Sequence, residues 1–445
     1  MRRHAPASSF DVLILGGGAA GLAAAHALAS AGRSVCVLEA RERVGGRIFT
    51  VEDGALAVPI ELGAEFVHGR PRITLEWIER TGGVLVDTPR SHWTLRRGTL
   101  RREDNSFAEL HDWIERTPRP RTDVSFAEFL AGPARAWPPR VRELARRLVE
   151  GYDAADATRV STHDTLAEWV DAGVPGAPSY RPLGGYGRLM QQLRRAAEKA
   201  GAEVRLRSVV REVRWVPGRV TAAGTARGRP FEAQAARAVV TLPLGVLQAP
   251  PDAPHAVRFD PPLTAKRAPL AKLAAGCVIK VLLRFRAPFW EEVDGGRYRD
   301  AAFFHAPGAV FPTFWTTLPL RTPLLVAWSA GSNAAKLAGA DSDALVRAAL
   351  ASLAKLFNGR RLRRTLERAF VHDWQGDPFA RGAYSYVVAG GAGARAALAR
   401  PLEDTLFFAG EAADVGGQSA TVAGALASGA RAAREVLRER ARKSA

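Results

Sequence analysis

Gly16, Gly18 and Gly21 stand in a G-x-G-x-x-G spacing within Leu13–Gly46, LILGGGAAGLAAAHALASAGRSVCVLEARERVGG. The chemistry that spacing serves is pyrophosphate binding. The first glycine permits a tight turn, the second lets a phosphate approach the backbone, and the third lets helix and sheet pack closely. A helix starting there turns unpaired N–H groups and the positive end of its dipole toward the phosphate. Glu39 follows Gly21 by eighteen residues, at the end of a second apolar run. An acid at that separation accepts hydrogen bonds from ribose hydroxyls and disfavours a 2′-phosphate. On these residues alone the dinucleotide is NAD or FAD. Lys280 is the second notable position, a lone lysine within CVIKVLLRF. Burying an unpaired ammonium is costly. Such a lysine either faces solvent from an alternating strand or has work inside the protein.

Elements must hold these residues in place. Phe10–Leu15 reads as a buried strand, Ala19–Ala31 as an amphipathic helix stopped by Gly32, and Ser34–Leu38 as a second strand. Residues from about 72 to 180 carry helical patterns, as in RITLEWIERTG and RVRELARRLVEGYDA. PLGGYGRLMQQLRRAAEKAGAEVRL gives a turn, a helix and a strand, and VVREVRWVPGRVTAAG and FEAQAARAVVTLPLGVL read as successive strands. GCVIKVLLRF, DAAFFHA and LLVAWSAG are further strands, and Asp341–Asn358 a helix. LFFAGEAADV and TVAGALASGARAAREVLRERAR return a strand and a helix near the C-terminus. The expected fold is therefore α/β: a discontinuous Rossmann-type nucleotide domain over 1–75, 195–248 and 400–445, with an inserted α+β substrate domain over 76–194 and 249–399.

The chain has 445 residues, a length that favours two domains. No apolar run reaches the roughly 18 residues that span a bilayer. Met1–Ser9 reads as a disordered leader and the location as cytoplasmic. Cys36 and Cys277 are the only cysteines, both in apolar runs; this excludes a disulfide framework and a cysteine–histidine metal site. The net charge of +18 raises nucleic-acid binding as a possibility. Yet the lysines are only Lys199, Lys266, Lys272, Lys280, Lys336, Lys355 and Lys443, and the remaining basic residues are arginines scattered among acids. That is compositional preference rather than a binding stripe, so no specific nucleic-acid partner and no membrane are expected.

The ordered motifs resemble those of the flavin-containing amine oxidases, which include monoamine and polyamine oxidases and the lysine-specific histone demethylase. The resemblance spans nearly the whole chain through EARERVGGR, ELGAEFVHG, PLGGYGRL, VVTLPLGVL, FDPPL, VIKVLLRFRAPFW, DPFARGAYSYVVAGG and LFFAGEAADVGGQSATVAGALASG. It implies FAD rather than NAD. It implies that Arg41 and Arg47 meet phosphate or ribityl oxygens, where a guanidinium fork is always charged and bidentate. It places Val210 against the adenine and Glu411 against the ribityl or ribose hydroxyls. The N–H of Val422 is placed at the flavin pyrimidine, where a helix N-terminus suits growing negative charge. Ala19, Ala20, Ala40, Gly45, Gly46, Gly63, Ala64, Glu65, Phe66, Thr241, Leu242, Trp374, Gly410 and Thr421 complete the implied cofactor contacts.

For the reaction itself the resemblance implies four residues. Lys280 bonds through water to flavin N5, and Tyr384 forms one wall of an aromatic cage. Thr421 stands where monoamine oxidases have the second tyrosine, which leaves room for a bulkier amine. His68 is a substrate contact or a structural histidine. Ala383 replaces the cysteine of covalently flavinylated members, so FAD is expected to be non-covalent. The implied activity is hydride transfer from an amine α-carbon to flavin, giving an imine, then a carbonyl product, with oxygen reduced to hydrogen peroxide. An L-amino-acid oxidase, another FAD-dependent dehydrogenase or desaturase, and a non-enzymatic flavin-bound scaffold are the alternatives. No metal is expected, and the protein is expected to be a monomer or homodimer. Glu39→Ala is expected to weaken FAD binding about tenfold or more, the scale of a lost hydrogen bond to a charged group. Calorimetry showing unchanged affinity would remove the ribose assignment.

Overall fold

The computed structural model describes residues 8–103, 106–171, 178–357 and 362–443. An eight-stranded sheet runs Glu203–Arg205, Val35–Leu38, Ser8–Leu15, Arg229–Val240, Arg219–Ala226, Ser208–Val216, Arg258–Asp260, with Leu406–Phe408 also on Arg229–Val240. Its glycine-turn side is parallel: Leu13 faces Cys36 and Ala238, and Ala238 faces Leu406. The middle strands form an antiparallel meander. Val12–Leu15 and Val35–Leu38 are buried throughout, because a parallel sheet of this kind is covered on both faces.

The first helix, Ala19–Ser30, is buried on nearly every side rather than amphipathic as the sequence suggests. The sheet, the helix Gly185–Lys199 and the last helix, Val422–Lys443, all pack on it. Its small residues make that closeness possible. A Cβ at Gly21 would lie 2.0 Å from the Gly16 carbonyl oxygen, and one at Gly429 would lie 2.1 Å from that of Ala20. Side chains at either position would push the glycine turn away from its helix.

A seven-stranded sheet runs Leu366–Asp373, Val278–Phe285, Leu324–Ala330, Thr313–Thr316, Phe303–His305, His92–Arg96, Thr99–Arg102. Lys280 lies on an inner strand, opposite Trp328 on one side and His372 on the other. It is 1% exposed, which rules out the solvent-facing alternative.

The elements differ from the sequence reading in places. Ser8 and Ser9 belong to the first strand rather than to a leader, while residues 1–7 lie outside the described residues. The stretch read as helical from 72 to 180 contains Leu85–Asp87, His92–Arg96 and Thr99–Arg102. The last two form a local hairpin, and a partner some two hundred residues away, Phe303–His305, holds its first strand in the sheet. Cys277 is only partly buried. No helix among the described residues is long and apolar enough to cross a membrane.

Glu61 ties the loop before the second sheet to the helix Gly185–Lys199. Its Oε1 accepts the Tyr186 N–H at 2.6 Å and its Oε2 accepts the Thr50 hydroxyl at 2.7 Å. Burial pushes its carboxyl up to about 7, against the pull of those two donors. A carboxyl raised on folding stabilises the fold while protonated, and that contribution is lost as pH rises through about 7. The stability of the wild type relative to Glu61→Gln is therefore expected to fall by roughly 2.5 kcal/mol between pH 5 and 8. Urea unfolding of both proteins at the two pH values measures it, and a pH-independent difference would contradict the burial argument.

Candidate active site

One cavity of 1410 Å³ reaches from the glycine turn to the Lys280 strand and on into the helical insert around Phe107, Leu144 and Trp169. A single small ligand usually occupies about 300–1,000 Å³, so this space suits a dinucleotide and a second molecule. Every residue named above as a cofactor or catalytic candidate lines it except Gly21. Gly21 instead packs against the Gly16 backbone.

The nucleotide end fits a pyrophosphate. The first helix has no side-chain cap at Gly18, so its first-turn N–H groups are open to an anion. A Cβ at Gly18 would meet only the Gly45 carbonyl oxygen, at 3.9 Å. The Gly45 N–H donates to the Gly17 carbonyl at 2.9 Å, joining the two glycine segments. Arg43, which sequence reasoning passed over, braces the second segment by donating to the carbonyls of Val44, Gly46 and Ile48 while stacking on Phe49.

Glu39 accepts the Gly17 N–H at 2.7 Å through Oε2 and the Arg41 N–H at 2.9 Å through Oε1. Burial raises its carboxyl pKa despite those donors. Arg41 donates to Asp377 Oδ1 at 2.7 Å, and His372 Nε2 stands 3.1 Å from Asp377 Oδ2. Burial alone would raise Asp377, but His372 and Arg41 hold its carboxyl well below the usual range. Arg47 donates to Glu411 Oε1 at 2.8 Å and to the Ala383 carbonyl. Ser385 donates to the other Glu411 oxygen through N–H and hydroxyl. Burial opposes ionisation of Glu411, and Arg47 and Arg395 overcome it and lower its pKa. Val210 lines the cavity beside a bulge in its strand.

Farther in, Lys280 Nζ donates to Glu65 Oε2 at 2.7 Å and to the Gly63 carbonyl at 3.3 Å. Arg181 Nε donates to Glu65 Oε1 at 2.9 Å, and Trp315 Nε1 lies 3.0 and 3.1 Å from the two carboxylate oxygens. Burial would raise Glu65, but Lys280 and Arg181 bring its pKa below the ordinary value. The sequence reading put Glu65 among the cofactor contacts. Its role as the partner of Lys280 was not readable, because residues 65, 181, 280 and 315 share no local spacing.

Tyr384 is a cavity wall whose hydroxyl donates to the Tyr152 carbonyl; burial pushes its pKa up. Trp374 donates to the Leu62 carbonyl at 3.1 Å and packs on His372 with ring centres 4.1 Å apart. The Thr421 hydroxyl is committed to capping the last helix. It accepts the Gly424 N–H at 3.1 Å and donates to the Gln418 carbonyl at 2.7 Å. Thr421 thus shapes the helix end at Val422 as well as lining the cavity. His68 Nδ1 lies 3.0 Å from the Ser179 hydroxyl, and its ring meets Tyr152 edge-on.

Near Tyr384 the cavity is lined by Asp153, Asp164 and Glu168, and Glu150, also lining it, faces Arg146 and accepts the Ser332 hydroxyl at 3.2 Å. Trp169 Nε1 donates to Asp153 Oδ2 at 3.2 Å. Burial and the neighbouring Glu168 push the Asp153 carboxyl up; burial and Asp164 raise Glu168 to about 7. These acids were missed because each reads as an ordinary surface acid of a helical stretch. Among the described residues, no group of three or more His, Cys, Asp or Glu side chains is placed to hold a metal.

A Rossmann-type nucleotide fold opening into a second ligand-sized chamber is the arrangement of a dinucleotide-dependent oxidoreductase. The chain belongs to the flavin containing amine oxidoreductase family, whose sequence profile matches residues 19–437. It is 28% identical over 500 residues to the lysine-specific histone demethylase 1 homolog 3 of Arabidopsis thaliana, covering 96% of this chain but 30% of that protein. It is 28% identical over 467 residues to polyamine oxidase 4 of Oryza sativa subsp. japonica, covering 96% of this chain and 89% of that one. In fold it is similar to a putrescine oxidase solved with putrescine bound, with TM-score 0.80, 24% identity, and coverage of 97% and 100% of the two chains.

Burial alone brings the His68 pKa down to about 4. Its ring is expected to stay neutral at pH 6 and to take up a proton only near that lower value. NMR titration of ring-labelled protein checks this, and protonation near the ordinary 6.5 would show the ring to be in contact with water.

Proposed function

We propose that this chain oxidises a di- or polycationic amine with non-covalently bound FAD, within a nucleotide domain of 1–75, 195–248 and 400–445 and a substrate domain of 76–194 and 249–399. The observation that carries the substrate class is the group of acids near Tyr384. In a chain of net charge +18, Asp153, Asp164 and Glu168 line the cavity close enough to raise one another's carboxyl pKa values. A second ammonium on the substrate relieves their mutual repulsion, and the same acids repel a carboxylate-bearing amino acid. The similarity to polyamine oxidase 4 over most of both chains supports the same class.

The residues present fit FAD. The uncapped helix start at Gly18 and the guanidinium groups of Arg41 and Arg47 suit the pyrophosphate, Glu39 the ribose, Val210 the adenine, and the Val422 N–H the ring system. Neither cysteine lines the cavity, which favours non-covalent binding. FAD, when bound, supplies two-electron chemistry at its ring. The protein's own part is positioning. Tyr384, fixed by its bond to Tyr152, forms a flat wall for the amine. The distal acids hold the far ammonium, so the reacting carbon is set by the length between two charges. Neutral His68 and the aromatic side chains of Phe66, Tyr152 and Phe303 keep water away from that carbon. Water then converts the imine to a carbonyl product, and oxygen leaves as hydrogen peroxide.

The expected outcome is a yellow protein whose colour bleaches anaerobically with putrescine or a longer polyamine at least tenfold faster than with a monoamine of equal length. Asp153→Asn with Glu168→Gln should erase that preference, at a cost of about 1–3 kcal/mol for a lost charged contact. Bleaching by amino acids instead would establish the amino-acid oxidase alternative, and no bleaching with bound FAD would favour the scaffold.

A further inference from the structure

The most buried cation on the cavity wall has a partner that the amine-oxidation reading leaves unused. An ammonium has three hydrogens. Lys280 directs two of them to Glu65 Oε2, at 2.7 Å, and the Gly63 carbonyl, at 3.3 Å. Two acceptors fixed in space fix the direction of the third hydrogen. Glu65 is itself immobilised by Arg181 at 2.9 Å and by the Trp315 indole at 3.0 and 3.1 Å. Arg181 in turn donates to the carbonyls of Leu318 and Thr316 and lies over the Phe66 ring. The side chains of Lys280 and Glu65 are 1% and 8% exposed, so the pair is shielded from bulk solvent.

We infer that Glu65 is the positioning residue of Lys280: it supplies the counter-charge of the ammonium, points its remaining hydrogen at the bound flavin, and so sets the rate at which the reduced cofactor is reoxidised. The inference rests on the FAD reading above. In that step oxygen takes two electrons and one proton from the reduced cofactor and a second proton from solvent, and leaves as hydrogen peroxide. Lys280 is not consumed; its positive charge stands where negative charge grows on oxygen. The cluster holds two cations and Glu65, and Glu61, its carboxyl raised to about 7, lies near enough to feel both Lys280 and Glu65. Without Glu65, the two buried cations keep only the partly ionised Glu61 as counter-charge. The ammonium then gives up its proton as pH rises, and reoxidation fails with it.

The test compares wild type, Lys280→Met, Glu65→Gln and Glu65→Asp as FAD-loaded full-length proteins, by stopped-flow reduction and reoxidation and by visible spectra from pH 6 to 9. In Glu65→Gln the ratio of reoxidation to reduction rate is expected to fall at least tenfold, more so at high pH. The visible band of its oxidised flavin is expected to shift with pH, whereas Lys280→Met shows at most the change that Glu61 brings near pH 7. Glu65→Asp keeps the charge but draws the carboxylate back by one methylene. It is expected to lose about threefold in reoxidation with a band that follows pH as in wild type, and it decides the matter if Glu65→Gln does not fold. A Glu65→Gln protein matching wild type in ratio and spectrum overturns the inference, as does Glu65→Asp reoxidising at the wild-type rate. If Lys280→Met also matches wild type, or if the protein takes up no FAD, the cofactor reading falls and the inference with it.

Discussion

A charge taken out of water must be answered by another charge, and around this cavity the answer always comes from far along the chain. Lys280 is answered by Glu65, Arg47 by Glu411 and Arg41 by Asp377. Removing one member of such a pair leaves the other stranded, which typically costs about 3–5 kcal/mol. The pairs therefore fix how distant segments meet more than they add net stability. Arg41 follows the second strand of the nucleotide sheet and Asp377 the strand that borders Lys280, so this pair joins the two sheets, whereas Arg47 and Glu411 both follow strands of the nucleotide sheet. The walls of the cavity are held at their spacing by these crossings.

The group of acids near Tyr384 breaks that rule. Asp153 and Glu168 have raised carboxyl pKa values because their surroundings bury them without a full counter-charge. Arg395, the cation that lowers Glu168 and Asp164, donates to Ser385 instead. Compensation is thus fuller around Lys280, Arg47 and Arg41 than around Asp153 and Glu168. The contrast gives the cavity a direction that its shape alone does not.

The nucleotide end was legible in the sequence because its logic is local. Turn, helix and acid lie within about thirty residues, and each has a backbone reason to be where it is. Lys280 was legible as an anomaly, one charge inside an apolar strand, but its partner was not. Glu65, Arg181 and Trp315 come from separate segments, and only the fold brings them together. The strands at His92 and Thr99 were lost for the same reason. The two pair with each other, but only the distant Phe303–His305 ties that short hairpin into the larger sheet. Thr421 was legible as a position but not as a role, since a threonine before a helix is first of all a cap.

The nucleotide sheet is also a matter of timing. Its first strand and helix come from residues 8–30, yet Leu406–Phe408 completes the parallel side, and the helix from Val422 covers the first helix. A polypeptide emerging from the ribosome exposes the glycine turn long before it holds either covering piece. The cofactor cradle closes only after more than four hundred residues have been made. Until then the apolar first helix is an open flank, exposed for the whole of elongation.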